Sequence, residues 1–242
     1  MNEQAVALKQ RTGRDVAPIR GTYITPDSVH IPGRRKLHMP IPLYKSKVEN
    51  IPPEKAVQLD GFKLLEATGM GFPEDGRVAH LSDKKLTAVI EDDMSFFTGL
   101  LMLDVSENRL KLNYFWNMPR LKEIRLACNS IKIIENLYGF HKLQILDLSY
   151  NNLSLESVRE LYKLPNLRDL DLCGNDLSIL PEDMHLFNSL ERLLLEHNKI
   201  QDTYVFDILA RMPALRDLTL AYNCLTDIPI RVVKEGNFRY QN

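Results

Sequence analysis

The chain has 242 residues, of which 44% are hydrophobic and 26% are charged, and its formal net charge is −1. This balance gives no charge excess that would direct the chain to nucleic acid or to a membrane. Three cysteines without a CxxC pair argue against a disulfide framework and a zinc site, and no uncharged stretch of about eighteen apolar residues could span a bilayer.

Residues 1–60 predict a proline-rich, basic, extended arm rather than a folded domain. They hold seven of the thirteen prolines and ten Lys/Arg against six Asp/Glu. Five positive residues and no acidic residue fall between positions 28 and 48, namely Arg34, Arg35, Lys36, Lys45 and Lys47. One interpretation is a solvated linker. The other is an anchor on an acidic surface, for which tubulin and nucleic acid both qualify.

Residues 61–99 predict a connector followed by an N-terminal capping repeat. The segment 78–94 keeps the spacing of the repeats that follow, but Lys84 stands where those repeats have asparagine. A degenerate first repeat suits an end cap, because its outer face meets water. The glycines between positions 69 and 76 lack the Lys-Ser/Thr of a phosphate loop and indicate a plain connection.

Residues 100–230 contain six matches to the pattern LxxLxLxxNxL, and their asparagines follow one another at steps of 21, 22, 24, 23 and 25 residues. No single repeat can bury its apolar face alone, so neighbours must stack. This predicts a curved α/β solenoid with a parallel β-sheet on its concave face and a mixture of helices and turns on its convex face. The asparagines are expected to bond to backbone groups left unpaired at the turns; they are Asn108, Asn129, Asn151, Asn175, Asn198 and Asn223.

The segments between the repeats predict two helices. One begins at a capping Ser154 and ends before Pro165, and the other is capped by Asp202 and ends before Pro213. Residues 130–143 form a compact segment that fits a short repeat, and residues 178–190 show a less regular pattern. The short segment 231–242 shows no capping helix and is expected to be a truncated tail.

The concave face is the candidate protein-binding site, because tyrosine and arginine among charges are typical of binding hot spots. The candidate residues are Asp104, Glu123, Arg125, Asp147, Tyr150, Asp169, Asp171, Arg192, His197, Asp217 and Tyr222. The alternative is that these positions are charged only for solubility. No catalytic arrangement, metal-ligand spacing or cofactor motif is present, so we expect a non-enzymatic protein without metal or cofactor.

The six repeats resemble those of the leucine-rich-repeat superfamily, intracellular type, over about residues 76–230. Segments 59–70, 81–97, 146–161 and 193–212 further resemble the family of X-ray radiation resistance-associated proteins. That resemblance implies an intracellular repeat protein with no known enzymatic activity and more chain after residue 242. It does not extend to the first 55 residues.

These features predict a scaffold or adaptor that binds a protein partner and no membrane. A cytoskeletal or ciliary (axonemal) assembly is the first hypothesis for its place in the cell, by analogy with intracellular repeat proteins of cilia. A nuclear protein associated with the DNA-damage response is the alternative, with nucleic acid as the partner of the arm.

Overall fold

The computed structural model describes residues 57–225. The five basic residues predicted to form the anchor of the arm, and the predicted tail over 231–242, lie outside the described residues. The predicted domain boundaries stay predictions.

Seven short parallel strands form one sheet, in which they lie side by side in chain order. Their partners are in step, so that the central residues Leu103, Ile124, Leu146, Leu170 and Leu193 occupy one continuous column. The strands are β2 (Val78–His80), β4 (Met102–Asp104), β5 (Glu123–Arg125), β6 (Ile145–Asp147), β7 (Asp169–Asp171), β8 (Arg192–Leu194) and β9 (Asp217–Thr219). The predicted α/β solenoid of leucine-rich repeats is confirmed.

The core lies between this sheet and the convex segments. Each repeat contributes the leucines of its LxxLxL pattern and one large apolar residue three positions before the first of them. The members of this second set are buried: Phe97, Met118, Phe140, Leu164, Phe187 and Met212. Because each repeat touches mainly its neighbours, apolar burial accumulates along the solenoid and not around a single centre.

The asparagine that ends each repeat pattern joins its own repeat to the one before it. In Asn151, the side-chain Nδ2 donates to the carbonyls of Leu126 and Leu148, both at 2.9 Å. Its Oδ1 accepts from the backbone N–H groups of Asn129 (3.0 Å) and Ile131 (2.9 Å). The other five asparagines bond in the same manner.

The first repeat lacks its own asparagine but receives the bonds of the next. The Oδ1 of Asn108 accepts from the N–H groups of Lys84 (3.1 Å) and Leu86 (2.9 Å). The turn containing Lys84 is therefore held from one side only, and Asp83 and Lys85 adopt left-handed backbone conformations within it.

A smaller unit covers the N-terminal end of the solenoid. Strands β1 (Val57–Leu59) and β3 (Leu86–Val89) pair in parallel, and helices α1 (Gly61–Thr68) and α2 (Glu91–Met94) follow them. Asp60 caps α1 by accepting from the Lys63 N–H at 2.8 Å, and Gly69 ends it in a left-handed conformation. The leucines of this unit are buried, so it shields the apolar end of the first repeat.

The convex side contains short helices joined by turns. Helix α3 (Leu155–Glu160) begins at Ser154, whose hydroxyl accepts from the Ser157 N–H at 3.2 Å, which confirms the predicted cap. A 3-10 turn at Leu161–Lys163 follows and ends before Pro165, as predicted. Residues 130–143 contain no helix, and residues 178–190 contain only a 3-10 turn at Met184–Leu186.

The prediction of Asp202 as the cap of the last helix is wrong. Helix α4 (Val205–Leu209) begins three residues later, with Tyr204 at its N-cap position. The Asp202 carboxylate instead accepts from the Tyr204 N–H at 2.8 Å, and this local bond closes a turn ahead of the helix. Within residues 57–225, no helix is both long enough and apolar enough to cross a membrane.

Replacing Asn151 by alanine is expected to lower the free energy of unfolding by about 1–3 kcal/mol, because buried backbone groups lose their partners. Asn152 is the matched control, since it is the next residue and its side chain is exposed. Urea denaturation of the full chain measures both. Equal free energies of unfolding for Asn151→Ala and Asn152→Ala would show that the buried hydrogen bonds of Asn151 do not stabilise the fold.

Candidate protein-binding face

The strand register brings eight of the eleven predicted binding residues into two columns on the concave face, which we define as the first and third residues of strands β4–β9. The first column is Met102, Glu123, Ile145, Asp169, Arg192 and Asp217. The second is Asp104, Arg125, Asp147, Asp171, Leu194 and Thr219. Adjacent members of each column are cross-strand partners.

Three of the predicted contact residues are buried rather than exposed. Glu123 exposes 4% of its surface, Asp147 9% and Asp171 3%. The Asp147 carboxylate accepts from the Ser149 N–H at 2.9 Å and from its hydroxyl at 2.7 Å, and Asp171 accepts from the Cys173 N–H at 2.9 Å. These two aspartates stabilise the turn that follows each strand, so their expected role as exposed contacts is corrected.

Asp104 makes the same bond, to the Ser106 N–H at 3.0 Å. The sequence signal for this framework role is an aspartate at the end of a strand with a small residue two positions later, as in Asp104-Val-Ser and Asp147-Leu-Ser. That spacing was not recognised from the sequence. A short carboxylate so placed reaches the N–H two residues on, as in other Asx turns.

Both arginines of the concave face pair with carboxylates of the same face. Arg125 Nη2 lies 2.6 Å from Glu123 Oε1. Arg192, on β8, pairs with a carboxylate of each neighbouring strand. Its Nη1 lies 3.5 Å from Asp169 Oδ1 and its Nε lies 3.5 Å from Asp217 Oδ2. Arg168, which immediately precedes β7, likewise pairs with Glu191 at 3.6 Å. The pairs of Arg192 and Arg168 are partly exposed to solvent, and such pairs add little stability.

A third column lies at the C-terminal edge of the sheet, where the chain turns before each asparagine. We call it the edge column: Glu107, Cys128, Tyr150, Gly174, His197 and Tyr222. All six have φ between 53° and 65°, the left-handed region that glycine and asparagine adopt most readily. The same turn geometry in every repeat therefore presents one side chain after another along this edge.

Tyr150, His197 and Tyr222 form an aromatic ladder within the edge column. The rings of His197 and Tyr222 stack with centroids 4.4 Å apart and an interplanar angle of 2°. The Tyr150 ring is tilted by 37° to His197, with centroids 6.5 Å apart. Tyr222 is 64% exposed.

Gly174 provides the space that this ladder needs. A Cβ at this position would lie 2.5 Å from Cδ1 of Tyr150, so the tyrosine ring lies directly over the glycine. Tyr150 thereby reaches across one repeat toward His197. The sequence placed these residues in one column, but it did not show that the rings would stack.

Burial and negative neighbours raise the pKa of two groups at this edge. The pKa of Tyr150 rises to about 12, mainly through desolvation, with further contributions from Cys173 and Asp171. The pKa of Cys128 also rises to about 12, through burial and then through Glu107 and Asp147. Both groups stay neutral at physiological pH, so Cys128 is not an activated nucleophile.

A separate groove of about 280 Å³ lies on the flank of the solenoid, between α3 and α4. Its lining is mainly apolar, including Leu155, Ile179, Leu180 and Ile208, and it also contains Arg159. Sequence reasoning did not find it, because its residues come from convex segments that lack a common pattern. Among the described residues, no group of His, Cys, Asp or Glu is arranged to hold a metal ion.

Comparison with known proteins identifies the repeats. A family model described as Leucine Rich Repeat matches residues 142–164 and 166–187. The chain is 35% identical over 190 residues to mouse X-ray radiation resistance-associated protein 1, which covers 71% of this chain but 24% of the mouse protein. It is 31% identical over 144 residues to rat osteomodulin, covering 58% of this chain and 33% of that protein.

The chain therefore spans about a quarter to a third of the length of these relatives. Among solved structures, internalin C2 of Listeria monocytogenes superimposes with a TM-score of 0.54 at 19% identity, covering 75% of this chain and 91% of the internalin. At that identity the likeness concerns the fold alone.

The cysteines are expected to differ in reactivity. Alkylation proceeds through the thiolate, so iodoacetamide at about pH 8 should modify the exposed Cys224 first and leave Cys128, with its pKa of about 12, largely unmodified. Mass spectrometry of peptides from the full chain measures both. Equally fast labelling of the two in the folded protein would contradict the raised pKa.

The same pKa shift predicts how stability depends on pH. Because folding raises the pKa of Cys128 from 9.0 to about 12, its contribution is fully present below pH 9.0 and is lost as pH rises toward 12. Cys128→Ser should weaken that decline in the free energy of unfolding between those pH values, relative to Cys224→Ser as control.

Proposed function

We propose that this chain, which carries leucine-rich repeats and folds as a leucine-rich-repeat solenoid, is a non-enzymatic adaptor that binds a protein partner. Repeat solenoids of this kind use their extended concave surfaces for binding. The contact surface we propose is the concave face together with the aromatic ladder of the edge column.

The observation that carries this proposal is the aromatic ladder. Large aromatic side chains at a surface lose little conformational entropy on binding and dominate the energies of protein interfaces. Tyr222 is 64% exposed and Tyr150 and His197 are partly buried, and the three rings adjoin a face lined with carboxylates and paired arginines. Solubility alone would not require a stack of rings at this edge.

Burial narrows the set of residues that a partner can touch. The buried Asp147 and Asp171 hold the turns in place, so charge reversal at either position would disturb the fold as well as any contact. Asp217, Arg192 and Tyr222 are more accessible and are better positions for a test.

Replacing both His197 and Tyr222 by asparagine should remove most of the binding. Asparagine tolerates the left-handed backbone at both positions. We expect the partner's affinity to fall at least ~30-fold, as for the loss of a hot spot worth about 2 kcal/mol. Tyr204→Asn is the matched control, because Tyr204 is also an exposed tyrosine (41%) but lies on the convex side.

The measurement is affinity purification of the tagged full chain from cells, with partners identified and quantified by mass spectrometry. Partners retained by the native chain and by Tyr204→Asn, but lost from the double variant, would support the proposal. An identical set from all three chains would exclude this face as the contact, and the absence of any specific protein would reject the adaptor.

Cytoskeletal or ciliary placement stays a prediction. It rests on analogy with intracellular repeat proteins of cilia and on the basic arm, whose residues Arg34, Arg35, Lys36, Lys45 and Lys47 lie outside the described residues. A tubulin or axonemal partner, and a location inside the cell, are therefore hypotheses that the same purification examines through the identity of the recovered proteins.

A role in radiation resistance is a second candidate, favoured by the 35% identity over 190 residues to the mouse protein whose name includes that property. Cells lacking the chain should then form fewer colonies after X-irradiation, and the native chain should restore their survival. Rescue by the His197/Tyr222 double variant would separate this role from binding through the ladder. Unchanged survival would reject the candidate.

A further inference from the structure

Within residues 57–225, negative charge is concentrated on one side of the solenoid. The concave face and the two turn residues before each asparagine, from β4 to β9, hold eight carboxylates and two arginines. The carboxylates are Asp104, Glu107, Glu123, Asp147, Asp169, Asp171, Glu196 and Asp217.

The two arginines of this surface neutralise only part of its negative charge. Arg125 is held by Glu123, and Arg192 bridges Asp169 and Asp217. Glu196 lies in the turn immediately before His197 of the aromatic ladder. Desolvation is the main cause of the raised pKa of Tyr150, and the smaller contributions of Asp171 and Glu196 agree with a negative potential at this edge.

The opposite edge of the same sheet has the opposite charge. The residues immediately before the strands form a hydrogen-bonded row that includes Arg77, Lys122, Arg168 and Arg216, against one acidic member, Glu191. The sheet is thus polar from edge to edge, and its negative side coincides with the side that carries the ladder. A cationic ligand would be drawn toward the ladder and away from the other edge.

The ladder adds a specific feature to this charge. Stacked aromatic rings surrounded by carboxylates suit a guanidinium group, which is planar, lies over aromatic faces and pairs with carboxylates. A contact between a guanidinium and a tyrosine is present on the convex side, where Arg211 lies 5.9 Å from the ring centroid of Tyr204 and donates to its hydroxyl at 3.0 Å.

We propose that the partner segment bound by the concave face is basic and arginine-containing, with at least one guanidinium lying against the His197–Tyr222 stack and paired with the neighbouring carboxylates. This inference rests on the proposed function and names the chemistry of the partner at the same surface. An acidic segment or a nucleic acid would meet net repulsion along the whole face.

The test uses the full chain and fluorescent peptides of about twelve residues that alternate serine with arginine or with glutamate, a length that spans several repeats. Fluorescence anisotropy gives the affinities at about 50 mM and about 300 mM salt. The arginine peptide should bind and weaken as salt rises, and the glutamate peptide should not bind.

Two substitutions remove the two parts of the site separately. Tyr222→Asn removes the outer ring, and we expect roughly ten-fold weaker binding of the arginine peptide. Asp217→Asn with Glu196→Gln removes two charges and should also weaken binding and flatten its salt dependence. Asp207→Asn is the matched control, because Asp207 is an exposed carboxylate on α4, outside the face. Urea denaturation checks that each variant is folded.

The proposal is overturned if the arginine peptide does not bind, if the glutamate peptide binds equally well, or if neither the ring nor the charge variant differs from Asp207→Asn. It is also overturned if the peptide binds only after Arg34, Arg35 and Lys36 are replaced by serine, since the chain's own arm would then be the occupant. Loss of native partners from the His197/Tyr222 double variant together with no binding of the arginine peptide would leave the adaptor standing and reject only its basic partner.

Discussion

Everything in this solenoid depends on the side-chain amide that closes each repeat. An asparagine is one of the few residues that donates and accepts at once, and here one amide serves carbonyl and N–H groups of two consecutive repeats. The leucines supply the burial, but leucines alone would leave the backbone of a sharp buried turn without partners. By bonding to those backbone groups, the amide lowers the free-energy cost of burying the turn, so that the strands can stack in register.

The candidate site is a consequence of the same turn. The residue before each asparagine is forced into a left-handed conformation, and its side chain is presented at the edge of the sheet in every repeat. Three aromatic residues occupy that position in the third, fifth and sixth of the six repeats, and Gly174 in the fourth leaves room for the ring of Tyr150. The framework therefore sets where side chains stand, and the choice of side chain at the edge is left to function.

Much of the fold could be predicted, because the repeat pattern and its spacing reflect burial and register directly. The cap at Ser154 followed from a local rule that tertiary packing did not disturb. The predicted cap at Asp202 was wrong because its carboxylate accepts from the N–H of Tyr204, two residues later. That bond closes a turn, and the helix begins after it, at Val205. Local rules that compete for the same N–H groups cannot be ranked from the sequence alone.

The position of the candidate site could be predicted from the sequence, but the burial and stacking of its side chains could not. Register placed Asp147 and Asp171 on the concave face, yet their burial and their bonds to the turns depend on how closely neighbouring repeats approach. The stacking of His197 on Tyr222 likewise depends on ring orientations that no linear pattern encodes.

The strand partners remain in step although the asparagines are separated by 21 to 25 residues. All variation in repeat length is therefore absorbed on the convex side, by a helix in one repeat and a few turns in another. Insertions and deletions there can accumulate in the lineage without moving the concave columns. Within one short repeat, the length of the convex segment can therefore change while the geometry of the concave strand stays the same.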